Sequence, residues 1–161
     1  MKILICDQLN QQVLNELKKL GECFDISLSE NKEKEILDNI VDSEIVVIRS
    51  GTTLTREILE FGKGLKIIAR CGVGVDNIDL NYAKEKEIAV TNAPSANIIS
   101  VVELTASLIL NAARKIPQAD QNLKNGMWDR ASFMGIELYG KQLGIVGFGK
   151  AGKLLAERMM S

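Results

Sequence analysis

The sequence has no histidine. Histidine is the side chain whose ordinary pKa lets it trade protons near neutrality. Acid–base work in this chain therefore falls to Lys, Asp or Glu, or is done elsewhere. Cysteine is scarce: Cys6, Cys23 and Cys71 are widely spaced, odd in number and without metal-ligand spacing, so no metal site is expected. Cys6 and Cys23 lie in strand-like runs and read as reduced core residues, which fits a cytoplasmic protein. Cys71 adjoins a glycine loop; with no histidine to activate it, it reads as a packing residue. Charge of either sign is not in excess. The net charge of −1 argues against a nucleic-acid surface, which needs clustered Lys and Arg. No basic segment leads into an apolar core at the start, so a secretory signal is not expected. The most apolar run, 98–113, falls short of the ~20 residues of a membrane span and contains Glu103. Internal repeats and low-complexity tracts are missing too. The 161 residues, 46% hydrophobic and 25% charged, have the composition of a soluble globular protein.

Short apolar runs alternate with helical patterns over the first ninety residues. Runs at 2–6, 23–28, 44–49, 65–69 and 88–91 read as strands. Val13, Leu14, Leu17 and Leu20 recur at helical spacing and end at Gly21, and further helices are expected over 32–41, after Thr55 and over 80–86. Five strands separated by helices indicate an α/β fold with a parallel sheet covered on both faces. Ligands of such sheets gather beyond the carboxyl ends of the strands. Unusual residues fall there: 49–52, 70–77 and 92–94. From Ile98 to Ala113 the pattern is a helix apolar on nearly every side, expected to be buried all round, either between domains or in a subunit interface. A more polar segment follows Pro117, then a turn at Tyr139, Gly140 and Lys141, a strand over 142–146, and a helix running to Ser161.

Gly147-x-Gly149-x-x-Gly152 stands between that apolar run and an amphipathic helix. Gly147 suits a tight turn, Gly149 lets backbone approach a pyrophosphate, and Gly152 lets helix pack on strand, with the phosphates at the positive helix end. A tight turn with no ligand is the alternative; the context favours a dinucleotide. An acidic residue ~20 positions on would hold the ribose, but only nine residues follow Gly152. Gly72, Val73 and Gly74 suit a backbone approached by a small anion, whose carboxylate their N–H groups would bind. Asp76 and Asn77 can hold that loop by bonds to backbone. A plain turn, with Asp79 capping the next helix, is an equal reading. Arg49 and Arg70 each end a strand at one sheet edge and suit a doubly charged substrate; solvated strand ends are the alternative. Glu103, if buried, needs a partner, and a structural ion pair is the favoured reading.

These segments resemble the D-isomer-specific 2-hydroxyacid dehydrogenases over essentially the whole chain. The resemblance rests on VIRSGT at 47–52, GVGVDNID at 72–79, NAP at 92–94 and VELT at 102–105. IPQ at 116–118, Trp128, Phe133-Met134-Gly135 and Gly140-Lys141 are most similar to the phosphoglycerate dehydrogenases of that family. The resemblance implies a flavodoxin-like substrate-binding domain over 1–97, followed by the truncated start of a Rossmann NAD-binding domain over 98–161. It implies that Val73 and Gly74 hold the substrate carboxylate and border the cofactor. Arg49, Ser50, Arg70, Gly72 and Arg130 would complete the substrate site. Val73 and Gly147, Gly149, Lys150, Ala151 and Gly152 would contact NAD. Helix 98–113 would make a homodimer.

The family's catalytic Arg, Glu and His would lie beyond Ser161. The expectation is the N-terminal part of an enzyme oxidising 3-phosphoglycerate with NAD, in which this chain alone is inactive and binds NAD weakly or not at all. Substrates of the glycerate, glyoxylate or lactate type are one alternative. A non-catalytic binding or dimerisation module is another; NAD-sensing corepressors exist in the family.

Overall fold

The computed structural model describes residues 1–160 and divides into two compact units, Met1–Ala96 and Asn97–Ser161. In the first, β1 (Lys2–Ile5), β2 (Glu22–Asp25), β3 (Ile45–Ile48), β4 (Ile67–Arg70) and β5 (Ala89–Asn92) form one sheet of order β2-β1-β3-β4-β5. Every pairing is parallel. This is the flavodoxin-like order, with its switch point between β1 and β3.

Alternation of side chains along the strands divides the core in two. Leu4, Val46, Ile48 and Ile68 point to one face, which is covered by α2 (Lys32–Ile40), α3 (Arg56–Leu59) and α4 (Leu80–Glu85) through Ile36, Ile40, Leu59, Tyr82 and Ala83. Ile3, Ile5 and Val47 point to the other, against Leu14 and Leu17 of α1 (Gln11–Leu20). Helix starts follow their caps: Asn10 accepts from the Val13 amide and Asp79 from the Tyr82 amide, each satisfying an orphan donor. Two strands differ from the sequence reading by more than one residue at an end. β2 stops at Asp25, and β4 begins at Ile67 because Leu65 belongs to the preceding turn, its amide bonded to the Gly62 carbonyl.

In the second unit, α5 (Ile98–Arg114) is followed by α6 (Ile116–Lys124) and α7 (Lys150–Met159). The break between α5 and α6 is Lys115, held in the left-handed region at φ 52°, with Pro117 opening α6. Proline suits a first helical turn, where its missing N–H costs nothing. α5 packs against α7, and Glu103 pairs with Arg158 at 3.7 Å on the surface.

One expectation fails here. Residues 142–146 form no strand: a strand needs a neighbour for its amides and carbonyls, and the second unit holds no strand among the described residues. Val146 is fully exposed. Within its own unit α5 is covered only in part. Only Val102 is buried, while Ile99, Leu104 and Leu108 are 58–60% exposed, because only one side of α5 meets another helix of its own unit. The last helix ends at Met159; the expectation for Ser161 lies outside the described residues. No helix among those residues is long and apolar enough to cross a membrane.

Candidate functional site

The carboxyl ends of β1, β3 and β4 bring together one polar cluster. Asp7 follows β1 and is only 7% exposed. Its carboxylate accepts from the Arg49 amide at 2.6 Å, the Thr52 hydroxyl at 3.0 Å and the Lys32 ammonium at 2.5 Å. Burial pushes the Asp7 pKa up. The bonds from Lys32, Arg49 and Thr52 outweigh it and hold the group below the ordinary carboxylate range, because each favours the charged form.

The same loop is held from its other side. Asn77 donates through Nδ2 to the carbonyls of Arg49, at 2.7 Å, and Thr52, at 2.5 Å. Only the amide nitrogen can face two carbonyls, so Oδ1 points away; it is buried with no hydrogen-bond partner among the described residues. Backbone bonds continue the link, from Leu54 N–H to the Asn77 carbonyl and from Asp79 N–H to the Leu54 carbonyl.

Arg49 and Arg70 stand at neighbouring strand ends, since Ile48 is in register with Arg70. Arg49 is exposed and donates from Nη1 to the Gln8 carbonyl at 3.3 Å. Arg70 is half-buried, and its Nε has no hydrogen-bond partner among the described residues. Both guanidinium groups act on Cys71. Desolvation raises that thiol's pKa and the two arginines pull it back incompletely. The reading of Cys71 as a packing residue is corrected: it is exposed, because it directly follows the last residue of β4 and leaves the sheet.

Gly72 lies under Arg70, and a Cβ there would collide with the guanidinium. A side chain at Gly72 would therefore displace Arg70. The loop is fastened from β5: Ala93 N–H donates to the Gly72 carbonyl at 2.8 Å and Asn92 Nδ2 to the Val73 carbonyl at 2.7 Å. The amides of Val73 and Gly74 donate to no group among the described residues, and both residues are exposed, as is Ser50. Two cations and two open amides converge on one edge. An anion with more than one charged group is the ligand such an edge recognises.

In the second unit, Gly147 takes φ +93°, a conformation open to glycine. Gly149 caps α7 with no side chain across the helix start, and a Cβ on it would meet nothing within 4 Å. A Cβ on Gly152 would strike the Gly147 carbonyl oxygen. The Ala151 and Gly152 amides, in the first turn, donate to nothing among the described residues, as first-turn amides do when no cap reaches them. Arg130 lies in this unit, beside a cavity of about 400 Å³ also lined by Ile116, Leu123, Trp128 and Phe133. No cluster of metal-ligating side chains occurs among the described residues.

Asp7 and Lys32 were missed by the sequence reading. Asp7 had a signal, a charge directly after an apolar strand in a sheet of this type. Lys32 had none, being one charge among many on a surface helix.

A family profile described as "D-isomer specific 2-hydroxyacid dehydrogenase, catalytic domain" matches residues 3–154. The chain is 49% identical over 158 residues to the D-3-phosphoglycerate dehydrogenase of Methanocaldococcus jannaschii, covering 98% of this chain and 30% of that protein. It is 47% identical over 134 residues to a hydroxypyruvate reductase of Thermotoga maritima, covering 83% of this chain and 44% of that one. The fold superposes on an NAD-dependent formate dehydrogenase from Staphylococcus aureus, solved in complex with NAD. The TM-score is 0.84 at 26% identity, covering 99% of this chain and 53% of that one. The chain thus spans 30% to 44% of the length of these two curated relatives.

Proposed function

Because the chain belongs to the D-isomer-specific 2-hydroxyacid dehydrogenases, we propose that it is part of an NAD-dependent oxidoreductase that converts 3-phosphoglycerate to 3-phosphohydroxypyruvate, a step that feeds serine biosynthesis. The observation that carries this reading is the pairing of Arg49 and Arg70 at adjacent strand ends beside the open amides of Val73 and Gly74. The amides take the substrate carboxylate. Arg49, Arg70 and Ser50 take the phosphate. Gly72 keeps space for the Arg70 guanidinium.

The residues at 147–152 fit a pyrophosphate, since Gly149 leaves open space at an uncapped helix start and first-turn amides face outward. Lys150 and Ala151 lie in that turn, and the helix dipole favours the negative charge. The bound nicotinamide supplies the hydride acceptor. In this reading the part of the residues named here is to bind and orient the two ligands.

The Thermotoga relative favours a second reading, an unphosphorylated substrate of the hydroxypyruvate type. An assay of NADH formation separates the two, using the protein expressed from its own gene. We expect turnover of 3-phosphoglycerate with a far higher kcat/KM than glycerate or lactate. Preference for the unphosphorylated acids would replace the first reading with the second.

The protein is placed in the cytoplasm, where free thiols such as Cys6, Cys23 and Cys71 persist. Two copies associate through α5, whose Val101, Leu104 and Leu108 fall on one side of the helix and form an exposed apolar stripe of the kind that marks an interface. Light scattering on the eluted protein is expected to give a dimer mass, and Leu104→Glu with Leu108→Glu a monomer. A wild-type monomer would sink this assignment.

A further inference from the structure

We propose that Asp7 and Lys32 are positioning residues of the anion site, acting through the main chain of Arg49. The inference rests on the reading of Arg49 as an anion ligand.

The loop at 49–52 is gripped on two sides by two side chains. Asp7 takes the Arg49 amide and the Thr52 hydroxyl, and Asn77 gives to the Arg49 and Thr52 carbonyls. Both peptide groups flanking the Arg49 Cα are thereby fixed, so its direction of departure is set before any ligand arrives. The fit is close: a Cβ on Gly51 would stand 2.8 Å from Asp7 Oδ1. Asn77 also sits on the loop that carries the Val73 and Gly74 amides. Arg49 and those amides therefore share one clamp, which keeps the two halves of the anion site in fixed relation.

Lys32 has a separate task. A bare carboxylate hydrogen-bonded to the Arg49 amide would attract the Arg49 guanidinium and compete with an incoming anion. The Lys32 ammonium, 2.5 Å from Oδ1, neutralises that carboxylate from the α2 side. Stability alone is a poor reason for such a pair, since apolar residues of similar volume replace buried ion pairs with little loss or with gain. A geometric task for Arg49 accounts for it.

The test measures two quantities on the protein expressed from its own gene: hydrogen exchange at the Arg49 amide, and KM and kcat for 3-phosphoglycerate and for glycerate. In Asp7→Asn, Arg49 amide protection is expected to fall while that of Leu4 and Ile68 persists. The KM for the phosphorylated acid is expected to rise about tenfold, the scale of one hydrogen bond to a charged group, with kcat and the KM for glycerate little changed. Thr52→Val removes a single bond, keeps the fold and is expected to give a smaller shift in the same direction. Lys32→Met is expected to raise the same KM, and Lys32→Arg to restore it.

Retained Arg49 protection in Asp7→Asn, or lost protection with both KM values unmoved, would overturn the inference. Equal rises for both acids would overturn it as well, because a merely structural role predicts them. If the wild type turns over neither acid, the proposed function falls. Inorganic phosphate titrated against the Arg49 resonances then decides the inference alone: weaker binding in Asp7→Asn and Thr52→Val supports it, and equal binding overturns it.

Discussion

Replacing Arg49 by Ala is expected to raise the KM for a phosphorylated D-2-hydroxy acid about a hundredfold, since a hydrogen bond to a charged group is worth about 1.5–3 kcal/mol and 1.4 kcal/mol is a factor of ten. The KM for an unphosphorylated acid should barely move. The argument is geometric. Arg49 leaves the end of β3 next to the end of β4, where Arg70 stands in register with Ile48. Among the described residues its guanidinium makes one bond, a long one from Nη1 to the Gln8 carbonyl, so most of its donors remain for a ligand. Stability should be nearly unchanged, because Arg49 is exposed and the loop is fastened by its main chain. The measurement is steady-state kinetics on both substrate types beside a thermal melt. Equal KM rises for the two substrates would show that Arg49 does not read the phosphate.

The glycines at 149 and 152 should fail in different ways. A Cβ on Gly152 would strike the Gly147 carbonyl oxygen and lie 3.3 Å from Ile145 Cγ2, and backbone cannot swing aside as a side chain does. Gly152→Ala is expected to destabilise the protein by about 1–3 kcal/mol, the usual cost of overpacking, and to weaken NAD binding because the start of α7 must back away. A Cβ on Gly149 would meet nothing within 4 Å. Gly149→Ala should therefore melt like the wild type while losing NAD affinity about tenfold or more, a loss that needs only 1.4 kcal/mol of displaced pyrophosphate contact. Melting curves and NAD titrations on both variants decide the matter. Unchanged NAD affinity in Gly149→Ala would remove 147–152 from the cofactor site.

What could be read from the residues alone follows from what each signal encodes. The central strands β1, β3 and β4 are built on short runs of Ile, Val, Leu and Ala, and such runs declare burial on both faces wherever they sit. The parallel sheet was legible for that reason. Asp79 was legible as a cap because capping is local, three residues from donor to acceptor. Asn77 was legible as a loop-holder, although its partners at Arg49 and Thr52 were not. The bond between Asp7 and Lys32 spans 25 positions and exists because α2 begins over the end of β1, which no local pattern records. Residues 142–146 show the opposite failure. Apolarity states that a segment suits a sheet but supplies no neighbour, and without one the second unit builds no ladder. The apolar faces of α5 are silent in the same way, because composition records that a surface is fit to be covered and not whether the cover comes from the same chain.

The strand order has a consequence for synthesis on the ribosome. β1 is made before the other four strands of this sheet, yet it lies inside it, with β2 on one side and β3 on the other. The ladder to β2 can form once Glu22–Asp25 has emerged, but the second edge of β1 stays open until Ile45–Ile48 follows. The nascent chain must therefore carry Ile3, Leu4 and Ile5, all fully buried in the end, half-covered through the making of α1, β2 and α2. From then on growth is orderly, since β4 and β5 each add to the outer edge left by the strand before.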